Sequence, residues 1–164
     1  MSLKRFAAML MLTFATFAAG NSVASSVRAQ GGKTLTNDPL TGLPIPPSED
    51  RLHLGNEPQA MDPLQMCKST MKSNFYSPNG IKMNATAAWY ESKLTGFKKV
   101  VGQHNNRATV TFYKPDGTVA VSLTGTPAPP GQDSEVHGIV YATFTPPLPE
   151  KAFAGMTTGN VVCP

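Results

Sequence analysis

Apolar and polar residues alternate most strictly in two stretches, "RATVTFYK" (107–114) and "TVAVSLTG" (118–125), which flank Pro115, Asp116 and Gly117. A period of two belongs to a strand with one buried face, and Asp and Gly tolerate the positive φ of a tight turn. The pair therefore predicts a β-hairpin. One face carries Ala108, Val110, Phe112, Val119, Val121 and Leu123, and the other Thr109, Thr111, Tyr113, Ser122 and Thr124. "HGIVYATF" (137–144) repeats the pattern, with Val140, Ala142 and Phe144 on one side and His137, Ile139 and Tyr141, preceded by Glu135, on the other. "FKKVVGQ" (97–103) predicts a strand ahead of the hairpin. "KSNFYS" (72–77) predicts an earlier one, closed by the turn residues Pro78, Asn79 and Gly80.

In "ATAAWYESKLTGFKKV" (85–100) the period lengthens. Met83, Ala87, Tyr90 and Leu94 are spaced 4, 3 and 4 apart, which places them on one face of a helix. Asn84 or Thr86 is a candidate cap, Gly96 sits where a left-handed residue stops a helix, and Phe97 can pack back on the last turn. An antiparallel sheet with one apolar face needs a cover, and this is the helix on offer. The predicted fold is α+β: one helix packed on a small antiparallel sheet, in the order β-α-β-β-β. The tail "NVVCP" supplies a short strand that delivers Cys163 to Cys67.

The pattern is different before Cys67. Residues 30–66 hold Pro39, Pro44, Pro46, Pro47, Pro58 and Pro63 and keep no period of 2 or 3.6, which predicts a proline-rich flexible tether. Earlier still, Lys4 and Arg5 precede an uncharged apolar run at 6–19, followed by small residues around Ala24 and Ala29. That order is the order of a secretory signal peptide over residues 1–29, cut after Ala24 or Ala29. The run is shorter than the ~20 residues of a membrane-spanning helix. An uncleaved signal anchoring the domain to the inner membrane is the alternative.

Export changes the charge and the cysteine reading. Three of the 14 Lys and Arg (Lys4, Arg5 and Arg28) lie within 1–29, which holds no acid, so the chain from Gln30 carries 11 bases against 10 acids. No clustered basic run remains to attract nucleic acid; Lys98 and Lys99 are only a pair. In an exported chain the two cysteines, Cys67 and Cys163, are read as one disulfide that brackets the single α+β domain at 67–164.

Residues able to carry chemistry are few. His53, His104 and His137 show no metal-ligand spacing, there is no Cys-x-x-Cys, no Gly-x-Ser-x-Gly elbow and no phosphate-binding glycine loop, so neither metal nor cofactor is expected. The candidate binding residues are Trp89, Tyr113, Tyr141 and His137. Trp89 falls at the border of the helix stripe, where large aromatics more often pack than bind. Tyr113 and Tyr141, with Thr111 and Thr143, are assigned to the outward face of the sheet.

Cys67, "NFYS", "TAAWYESKLTGFKKV", "TFYKPDGTVAVSLTG" and "VYATFTPPL", in this order, resemble small exported bacterial proteins of unknown function. In those proteins an Ala-Trp-Tyr helix is followed by a Leu-x-Gly-Phe exit and an Asp-Gly-Thr hairpin. The resemblance covers residues 67–148. It implies export and the fold, and brings no activity or active-site residue with it. The expected function is that of a periplasmic or secreted binding or structural protein of the cell envelope, non-enzymatic, with a protein or envelope component as partner. The alternative is a small hydrolase or metal-dependent enzyme built from His104, Asp116, Asp133 and His137.

Overall fold

The predicted hairpin is present. β4 (Arg107–Tyr113) pairs antiparallel with β5 (Val119–Gly125), with Val110 opposite Leu123, Phe112 opposite Val121 and Thr111 opposite Ser122, as the alternation requires. Their turn needs its glycine twice over. Gly117 has φ 74°, and a Cβ there would lie 2.1 Å from the carbonyl oxygen of Leu148, whose N–H donates to the Gly117 carbonyl. β3 (Lys98–His104) joins β4 through Asn105 and Asn106, both at positive φ, in the two-residue turn that suits strand twist.

The structure is a computed structural model that describes residues 35–48, the backbone of 51–53, and 67–163. The apolar leader at 1–29 and the remainder of the proline-rich stretch lie outside the described residues. Around the hairpin stand β2 (Thr70–Pro78), β6 (Val136–Thr145) and the three-residue edge strand β1 (Arg51–His53). All pairs are antiparallel and the sheet order is β1-β2-β6-β5-β4-β3. α1 (Met83–Lys93) carries the chain from β2 across to β3 at the far edge, over β4 and β5.

α1 packs as its stripe predicts, with Met83, Ala87, Tyr90 and Leu94 all buried. Its start is held differently. Neither Asn84 nor Thr86 caps it: Asp133 accepts the Asn84 N–H at 3.0 Å, the Ser134 carbonyl accepts the Met83 N–H, and Thr86 is buried. An acid from another loop satisfies an orphan donor and sits favourably at the positive end of the helix dipole. Gly96 at φ 81° ends the helix region, and Phe97 packs back on the core.

Two further differences alter the architecture. The order β-α-β-β-β is replaced by β-β-α-β-β-β-β-α. The final element, α2 (Glu150–Thr158), is a second helix lying on the opposite sheet face over β3 and β4. Phe153, fully buried, stacks on Tyr113 at 4.3 Å between ring centroids and meets Phe144 edge-on. The sheet therefore has two cores. Tyr76, Val121, Leu123, Ile139 and Tyr141 lie under α1; Met71, Ala120, Ala142, Phe144 and Leu148 lie with α2. The tail 160–163 forms no strand. It turns back from α2, with Asn160 N–H donating to the Gly155 carbonyl, and Cys163 is disulfide-bonded to Cys67 across 5.1 Å between Cα atoms.

The second difference corrects part of the tether. Residues 35–48 are packed against the α1 side, with Ile45 in that core. Asp38 folds them into a turn. Its Oδ1 accepts from Leu40 N–H, Thr41 N–H and the Thr41 hydroxyl, and Gly42 follows at φ 72°. Its Oδ2 accepts from Asn74 at 2.7 Å and the Tyr76 hydroxyl at 2.8 Å, so a carboxylate with no exposed surface is matched on both oxygens. Prolines prevented a regular element here, but they did not prevent packing.

Candidate functional site

The ladder between β5 and β6 breaks once. Thr124 faces Gly138 and Gly125 faces Val136, so His137 is the extra residue of a β-bulge. A bulge re-aims the side chains beside it. Val136 takes the inward place next to Ile139 and Tyr141, and His137 is left exposed. Strict alternation, which grouped His137 with Ile139 and Tyr141, fails at this residue for that reason.

His137 Nε2 lies 3.0 Å from the Thr126 hydroxyl. The two line a cleft of 370 Å³ with Phe75, Arg107, Thr124 and Gly125. Each lining group has a structural reason to be there. Phe75 alternates with the buried Asn74 and Tyr76 on β2, so it faces away from α1. Its ring lies against Gly138, where a Cβ would stand 2.7 Å from the ring and force it to shift. Arg107 opens β4 immediately after the Asn105-Asn106 turn and is exposed. Its guanidinium makes no ion pair among the described residues, whereas Lys98, Lys99 and Lys114 pair with Glu150, Glu91 and Asp116. Among the described residues, no acid lines the cleft.

The four predicted binding residues do not gather. Only His137 reaches the cleft. Tyr141 is fully buried on the α1 side: it donates to the Pro44 carbonyl at 2.9 Å, which leaves its oxygen to accept from Tyr90. Tyr113 is buried on the other face beneath α2, and the Glu150 carboxylate accepts from its hydroxyl at 3.3 Å. Burial first, then Glu150, pushes the Tyr113 phenol above its ordinary range. The two tyrosines assigned to one outward face thus lie on opposite faces. The bulge shifts nothing between Tyr141 and Val121, which are partners, so the error lay in pairing Tyr141 with Tyr113 rather than with Phe112. Trp89 is partly buried at the margin of α1, edge-to-face with Tyr90 at 4.9 Å.

The residues of the alternative catalytic reading are also dispersed. Asp116 lies in the β4–β5 turn, at the sheet end opposite the His104–Arg107 turn. It accepts from the Thr118 hydroxyl and N–H, which hold its carboxyl below the usual carboxylate range. Asp133 is occupied at the start of α1. His104 bonds Asn105 at 2.8 Å. Among the described residues, no three of His, Cys, Asp and Glu lie together as a metal site would need. Arg107, Phe75, Thr124 and Thr126 are the residues that sequence reasoning passed over. The available signal was Arg107 at the first position of a strongly predicted strand.

No protein-family model matches the chain, and no curated protein or solved structure matches it.

Proposed function

We propose that the chain is an exported protein of the cell envelope, periplasmic or secreted, which binds a protein or another envelope component without catalysing a reaction. The observation that carries the reading is the bulge that turns His137 out of the alternating ladder into the cleft that holds Arg107. Bulges re-aim the side chains beside them, and this one presents an imidazole to the same cleft as a guanidinium that makes no ion pair among the described residues. Arg107 offers a fixed fork of N–H donors, Thr126 offers a hydroxyl, and Phe75 offers an apolar surface.

Export is supported by three features. The leader at 1–29 has signal-peptide order, with cleavage after Ala24 or Ala29. The Cys67–Cys163 bond belongs to an oxidising compartment. Among the described residues no helix is long and apolar enough to cross a membrane. The resemblance of residues 67–148 to small exported bacterial proteins points the same way. Nucleic acid is not the partner in this reading, because the chain from Gln30 is nearly neutral.

The test is capture from envelope extract on the immobilised exported chain, compared with Arg107→Ala and His137→Ala. Both side chains are exposed, so both variants are expected to fold and to lose at least tenfold of the captured component. Equal capture by all three proteins would remove the cleft from the function.

A further inference from the structure

The geometry points to an oxyanion joined to a flat apolar group, an aryl carboxylate or aryl phosphate, as the ligand class of the Arg107–His137 cleft. The inference rests on the binding function proposed above and specifies its ligand.

The charge in the cleft is one-sided. Among the described residues, the Arg107 guanidinium has no ion-pair partner and shares the cleft with no carboxylate. That disfavours a cationic ligand and presents a guanidinium fork whose geometry matches a carboxylate or phosphate edge.

A second donor is available whichever way the His137–Thr126 hydrogen bond runs. If the Thr126 hydroxyl donates to Nε2, the neutral ring carries its proton on Nδ1 and offers it outward. If Nε2–H donates to Thr126, the hydroxyl proton of Thr126 is free. Thr124 is not the second donor, because its hydroxyl bonds the Gly138 carbonyl at 3.4 Å.

The apolar part follows from Phe75. Its ring is half-buried, lies against Gly138 at a distance a Cβ there would disturb, and forms part of the cleft wall. A cavity of 370 Å³ has room for one ring plus its oxyanion, at the small end of ligand sites. Aromatic rings gain from offset or edge contacts with such a wall.

The experiment is an amide NMR titration of the exported chain with four probes: acetate, inorganic phosphate, benzoate and phenyl phosphate. Shifts are expected to centre on Phe75, Arg107, Thr126 and His137. The two aryl probes should bind about tenfold more tightly than their non-aryl counterparts, the equivalent of ~1.4 kcal/mol. Arg107→Ala should weaken both aryl probes at least tenfold, and Phe75→Leu should remove most of the aryl advantage while leaving the shifts of Arg107. Benzamide binding as well as benzoate would overturn the oxyanion, and no localised shift with any probe would overturn the ligand class. The outcome is separable from the capture test. Probe failure combined with lost capture in Arg107→Ala would sink only the ligand class; probe binding with unchanged capture would sink only the function.

Discussion

Asp38→Ala is expected to lower the free energy of unfolding by about 3–5 kcal/mol, although the residue belongs to a stretch with no regular secondary structure. Its carboxylate is the acceptor for two buried side-chain donors, Asn74 and Tyr76, and a buried donor left without an acceptor costs ~1–3 kcal/mol. The turn at 38–42 also loses the three bonds that Oδ1 accepts. Burial, reinforced by Asp38, raises the Tyr76 phenol above its ordinary range, so it remains a donor throughout the accessible pH range. Urea unfolding should show a lower midpoint and a smaller m-value, because a released 35–48 segment no longer contributes surface to the transition. Asp38→Asn keeps one acceptor oxygen but turns an amide nitrogen towards donors, and should fall between the two. An unchanged midpoint for Asp38→Ala would mean that the segment contributes nothing to stability.

The Cys67→Ser, Cys163→Ser double variant should lose a comparable or larger amount. The bond closes a loop with a sequence separation of 96, for which the chain-entropy estimate is about 4–5 kcal/mol. It also ties the tail beyond α2 to the start of β2, and both Cys67 and Val161 pack on the α2-side core. Loosening the tail therefore exposes Phe153 and Leu148 as well as lengthening the unfolded loop. Thermal melts with and without reductant should separate by well over 10 °C for a domain of this size, since 1 kcal/mol moves the midpoint by ~4–8 °C. Coincident melts would show that the described fold does not depend on the bond.

The two predictions rest on features of unequal visibility. The disulfide is legible because two cysteines leave one pairing once the leader is read as an export signal. The hairpin and the α1 stripe were legible because alternation and the 4, 3, 4 spacing are local, and each is reinforced by turn or stop residues at its ends. Asp38 was not. Its partners Asn74 and Tyr76 are 36 and 38 residues away, and no local pattern distinguishes a buried aspartate from a solvated one among prolines. α2 was missed because nine residues containing Gly155, Thr157 and Thr158 have weak helix propensity and follow three prolines. Pro149 before Glu150 and the left-handed Gly159 were its start and stop signals. Alternation alone leaves the second sheet face open, which puts Tyr113 on the surface; α2 covers it. His137 was singled out, but for a place on a regular face; the bulge that gives it its position leaves no mark in a single sequence.

The central proposal is that the chain meets its partner at the cleft. The direct measurement is photocrosslinking in cells, with a photoreactive residue placed at Pro127, exposed next to Thr126 of the cleft, or at Val101, which is 64% exposed on the β3 edge. The prediction is one envelope adduct from position 127, lost when Arg107→Ala is added, and none from position 101. An adduct from position 101 with none from position 127 would contradict it.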